Sequence, residues 1–162
     1  MTRMRFVLML ATALSVTPAF AQAPASAAKP ADSMQVLREK LKSEKKLVVA
    51  ANVDLTEAEA KKFWPLYEEY QKALAKINDQ LATVLVAYAK EYNAGSLTDK
   101  KAAELLNQSI AVEEAETKLK RSFIPKLAKV LPGRKVARYM QVENKIRALV
   151  KYEIAAEVPL AP

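Results

Sequence analysis

Residues 55–88 read LTEAEAKKFWPLYEEYQKALAKINDQLATVLVAY, and the spacing of their apolar side chains decides the fold. Phe63, Tyr67, Tyr70, Leu74, Ile77, Leu81, Val84 and Tyr88 recur at alternating steps of four and three. That is a heptad seam, which lines these side chains along one edge of a helix. The start signal lies just upstream in Leu55-Thr56-Glu57-Ala58-Glu59. Thr56 caps the first turn and Glu59, three residues on, reaches back to complete a capping box. A helix from Glu57 to about Tyr92 is roughly 54 Å long, so its apolar edge needs a second helix along its length. Pro65 falls inside this helix, removes a backbone donor and bends the axis. Trp64 sits beside the bend. Either it packs into the core of a curved helix, or the curved surface presents Trp64 and Phe63 to partners.

Downstream, Tyr92-Asn93-Ala94-Gly95-Ser96 reads as a turn in which Gly95 ends the helix. Leu97-Thr98-Asp99 then opens a second long helix with the stripe Leu105, Val112, Leu119, Phe123, Leu127 and Val130. Ser109 and Glu116 dilute that stripe, Pro125 bends the helix, and Leu131-Pro132-Gly133 stops it. A last helix runs from about Arg134 to Glu157, with Val136, Met140, Ile146, Leu149, Val150 and Ile154 expected to face inward and Pro159 ending it. Upstream, Ser33–Val49 reads as a shorter first helix carrying Met34, Leu37 and Leu41 on one face. No stretch alternates with period two. The expected fold is therefore all-α: a long bent antiparallel helical hairpin with additional N- and C-terminal helices.

Residues 1–21 have the pattern of a secretory signal: a basic start with Arg3 and Arg5, an apolar run, and Ala19-Phe20-Ala21 as a small-x-small cleavage site. Residues 22–32, rich in Ala and Pro, read as a flexible leader, and 33–162 as a single helical domain. Cleavage after Ala21 removes two bases and no acid, which lowers the net charge from +8 to +6.

Composition excludes several chemistries. The chain has no His and no Cys, so a Ser-His-Asp triad, a thiol nucleophile, a disulfide and an imidazole or thiolate metal site are all ruled out. Gly95 and Gly133 are the only glycines, too few for a phosphate-cradling loop. The expectation is a protein that is not an enzyme and carries no cofactor. Export also argues against nucleic acid as the partner of its basic charge.

The paired helix starts resemble those of the Spy/CpxP-type (LTxxQ) family of periplasmic stress proteins. Leu55-Thr56-Glu57-Ala58-Glu59 stands at the first Leu-Thr-x-x-Gln motif and Leu97-Thr98-Asp99-Lys100-Lys101 at the second, with Glu59 and Lys101 in the Gln position. The resemblance covers roughly residues 50–131. The 132–162 tail is similar instead to a related branch of exported helical proteins. The resemblance implies a periplasmic protein, a bent hairpin that dimerises into a cradle, and binding either of unfolded clients or of a sensor domain. Zinc binding by relatives depends on His or Cys and does not carry over.

Charge is the second clue. Residues 118–151 hold eleven bases and one acid, whereas 52–117 hold seven bases and twelve acids. Three readings stay open: the basic arm pairs with the acidic arm, it is a solvated face, or it meets acidic clients, anionic lipid headgroups or a partner domain. On the last reading the binding surface joins Phe63, Trp64, Tyr67 and Phe123 to Arg121, Lys126, Arg134 and Arg138. Glu143 falls on the apolar side of the last helix and demands a partner there. The rival to a client-binding protein is a structural module of the cell envelope that self-associates through its seams.

Overall fold

The computed structural model describes residues 44–162. The signal segment, the leader and the Met34, Leu37 and Leu41 face lie outside the described residues. Leu47–Pro162 forms one compact unit, and everything below except the first three residues of α1 lies in it. Among the described residues the secondary structure is four helices and no strand: α1 over 44–53, α2 at Glu57–Ala94, α3 at Asp99–Ala128 and α4 at Gly133–Glu157. The all-α architecture read from the sequence is the one observed.

α1 continues past Val49, where the sequence reading ended it. Val49 and Val53 are one turn apart and both are fully buried, so the extra turn is held by core packing rather than by propensity. Asp54 then takes a positive φ of 51° and turns the chain into Thr56. The expected capping box forms: Glu59 N–H donates to Thr56 Oγ1 at 3.3 Å and Thr56 N–H to Glu59 Oε2 at 2.8 Å. Lys135 of α4 fastens this corner by donating to Glu59 Oε2 and to the Asp54 carbonyl, each at 2.7 Å.

α2 runs unbroken through Pro65, and α3 through Pro125. Each proline is exposed, so the carbonyls of Lys61 and Arg121, which lose their helical donors, are on the solvent side. α2 ends at Gly95, which adopts the left-handed conformation (φ 63°) and donates its N–H to the Glu91 and Tyr92 carbonyls. Thr98 caps α3 by accepting from Lys101 N–H at 3.2 Å. The short connection lays α3 antiparallel along α2.

The core concentrates where the first half of α2, the second half of α3 and the first half of α4 meet. Phe63, Tyr67, Tyr70, Phe123 and Tyr139 are buried there with Leu127, Leu131 and Val136. Phe63 and Tyr139 pack edge to face at 5.0 Å, and Tyr70 and Phe123 do so at 5.3 Å. These are the geometries that aromatic quadrupoles favour.

α4 corrects part of the expected inward face. Val136 is buried and Met140, Ile146 and Ile154 are half-buried, but Leu149 is 67% exposed and Val150 is 38% exposed. Tyr139, Val142 and Glu143 take the inward places instead. Leu149 lies seven residues beyond buried Val142 and so on the same face of the helix; it is exposed because the packing against the core cluster reaches only to Ile146 along α4.

Candidate functional site

The basic stretch resolves into two groups. Lys126 pairs with Glu69 at 2.6 Å, Lys135 with Glu59 at 2.7 Å, Arg147 with Glu116 at 2.8 Å and Lys151 with Glu113 at 3.3 Å. Each of these joins two helices, so internal complementarity accounts for much of the charge. Lys118, Arg121, Lys129, Arg134, Arg138 and Lys145 are exposed and make no ion pair among the described residues. On α3 and on α4 they fall on the side away from the core.

Two carboxylates are buried. Glu116 accepts from Lys120 at 2.7 Å and from Arg147 Nε at 2.8 Å, while Arg147 Nη1 donates to Asn78 Oδ1 at 2.8 Å. Burial pushes the Glu116 carboxyl up, but Lys120 and Arg147 outweigh it and hold the group below the usual carboxylate range. Glu143 accepts from Gln71 Nε2 of α2 at 2.8 Å, a neutral amide and not an opposite charge. Beside it the Tyr139 hydroxyl is buried and makes no hydrogen bond among the described residues, although Gln71 and Glu143 lie close. Burial first, and then the Glu143 charge, raise its ionisation above the ordinary tyrosine range.

The aromatic members of the surface expected from sequence do not lie on a surface. Phe63, Tyr67 and Phe123 are core residues, because the seam consumes them. Trp64 is half-buried at the edge of that core, 5.0 Å from the Phe63 ring and 5.4 Å from the Tyr67 ring. Lys126 is exposed but occupied, with Nζ near Glu69 and 4.4 Å from the Phe123 ring centre. Arg121, Arg134 and Arg138 remain exposed. The structure therefore does not gather these eight residues into one surface.

A different feature has the form of a binding site. Where the second half of α2 meets the first half of α3, a half-open groove of about 690 Å³ lies between the helices. Leu81, Val84 and Tyr88 line it from α2, Leu105, Leu106 and Val112 from α3, and Ile154 of α4 and residues 158–161 complete the lining. Glu113, Glu116, Arg147 and Lys151 stand at one end, already paired with one another. The volume is that of ordinary small-ligand and peptide pockets. Its origin is legible in α3, where Ala102, Ala103 and Ser109 flank Leu105. Small side chains there cannot fill the space opposite the large α2 residues.

Among the described residues no group of three or more carboxylates gathers as a metal site, and no helix is long and apolar enough to cross a membrane. Comparison with protein-family models, with curated proteins and with solved structures returned no match.

Proposed function

We propose that this chain is an exported, non-enzymatic binding protein that takes up apolar segments of other polypeptides, in the manner of a periplasmic holdase or an envelope-stress sensor accessory. The observation that carries the reading is the half-open apolar groove. A groove of this kind is favourable to occupy because apolar surface leaves water on binding, by roughly 25 cal/mol per Å² before the costs of association. The resemblance of its helix starts to the Spy/CpxP-type pattern supports the same reading, as does the signal-like segment at residues 1–21. The six exposed cations that make no ion pair among the described residues would favour encounter with acidic clients at the surface, over a Debye length of ~8 Å in physiological salt.

The test is client aggregation followed by light scattering. Substoichiometric chain lacking residues 1–21 should suppress scattering, and Leu106→Glu should weaken suppression several-fold. Leu106 borders the groove and is 62% exposed, so that substitution leaves the core intact. Absence of suppression over a tenfold concentration range removes the reading.

One observation favours a second reading, a self-associating envelope module. Leu149 and Tyr152 are both largely exposed on α4, at 67% and 74%. A module of that kind would form large, salt-resistant assemblies by size exclusion with light scattering, and Leu149→Lys would dissolve them.

A further inference from the structure

The groove is bordered by a piece of the chain itself. After α4 ends, Val158 turns extended (φ −88°, ψ 114°), the conformation favoured by a residue that precedes proline. The segment that follows, Val-Pro-Leu-Ala-Pro at 158–162, is uncharged and holds two prolines, so it cannot continue the helix. Val158, Pro159, Leu160 and Ala161 line the groove opposite α2 and α3. One side-chain hydrogen bond ties them down: Tyr88 Oη donates to the Pro159 carbonyl at 2.9 Å. The hold is slight, for Val158 and Pro159 are only half-buried and Leu160 is 90% exposed.

This arrangement shows what the groove accepts. Leu81 and Val84 offer an apolar wall, and Tyr88 offers a donor to a backbone carbonyl. A carbonyl is present in every peptide, so that contact carries no sequence preference beyond an extended backbone. Of the segment's side chains the half-buried Val158 and Pro159 are held most against the apolar lining, and Leu160 least. The segment is thinly seated, and an incoming peptide with the same character replaces its contacts like for like.

We infer that the groove binds an extended, uncharged, proline-containing apolar peptide, and that 158–162 occupies that site in the free protein until such a peptide displaces it from Tyr88. This rests on the function proposed above and names the chemistry of its ligand. A self-occupied site lowers apparent affinity by the fraction of time that the segment is seated.

The probe is a fluorescently labelled peptide with the sequence of residues 158–162, titrated by anisotropy into the chain lacking residues 1–21. Three forms are compared: the parent, a form ending at Glu157, and a full-length form with Val158→Ser and Leu160→Ser. Both altered forms should bind the probe about tenfold more tightly than the parent, and a probe with serine at both apolar positions should not bind. Tyr88→Phe, placed in the full-length double variant, should weaken binding several-fold. Equal affinity of the parent and the double variant, or no saturable binding by a double variant with the parent's far-UV circular dichroism, overturns the inference. The full-length variant keeps the comparison decisive if the shortened form does not fold. A chain that suppresses aggregation but shows no such competition keeps the proposed function and loses this one. A chain that binds the probe yet suppresses nothing does the reverse.

Discussion

Arg147 on α4 and Glu116 on α3 meet Nε to Oε2 at 2.8 Å, with side chains only 11% and 5% exposed. Position 116 interrupts the apolar stripe of α3, and Arg147 answers it from another helix while also holding Asn78 of α2. A charge in this place is tolerated only while it is paired. Arg147→Ala should therefore destabilise the fold by about 3 kcal/mol, read as a lower urea midpoint. Replacing both partners by Leu and Met should restore most of the loss. Equal stability of Arg147→Ala and the parent would show that Lys120 alone suffices.

The same carboxylate sets an acid limb. Its ionisation is depressed below the reference value of 4.5. Stability from Glu116 is thus fully present above that value and is lost as pH falls through the lower folded value. Urea midpoints should fall as pH drops below 4.5, and Glu116→Gln should make that fall shallower. An unchanged slope in Glu116→Gln would remove Glu116 from the acid response.

At the alkaline end the tyrosines act in the opposite sense. Burial raises the ionisation of Tyr67, Tyr70 and Tyr139 above 10.0, helped in each case by the Glu143 charge. Their neutral forms stabilise the fold below that value, and the contribution is lost as pH rises above it. Absorbance at about 295 nm should show these phenols ionising only as the helical signal is lost, since tyrosines ordinarily titrate near 10. Full ionisation with helicity retained would contradict the burial.

Tyr139→Phe removes a hydroxyl that is desolvated without a hydrogen bond in return. The variant should be as stable as the parent or more so, by about 1 kcal/mol. A clear loss of stability would mean that Gln71 or Glu143 engages the hydroxyl in solution.

The two glycines should respond with opposite signs. Gly95 holds φ 63° at the end of α2, with open space around an added Cβ, so Gly95→Ala carries only the conformational penalty, about 1 kcal/mol. Gly133 opens α4 with open space around it and no positive φ. Gly133→Ala should stabilise by about 0.5 kcal/mol through the unfolded chain. Thermal unfolding of the two variants reads both signs.

The seam of α2 was legible because it is long, regular and opened by a capping box. Phe63, Tyr67, Tyr70, Leu74, Ile77 and Val84 are all buried as its spacing requires. The inner face of α4 was read less well. Tyr139 and Leu149 both suit a helix face, and which of them turns inward depends on what α2 and α3 offer opposite. The charge pattern showed an acidic and a basic arm but not their partners, because Arg147 and Glu116 are paired by tertiary register. The groove escaped the sequence reading altogether. Its sign was present in the small residues Ala102 and Ser109, but an empty space is a property of two facing helices and not of either one.

The aromatic packing of Phe63, Tyr70, Phe123 and Tyr139 lies far along α2 from Leu81 and Tyr88, and this gives the molecule two unlike poles. Around Tyr139 the amide protons will be the last to exchange with solvent, while those near Ser109 and Ile154 will go early. On the proposed function, a guest at the Leu81 and Tyr88 pole would reshape it without melting the other.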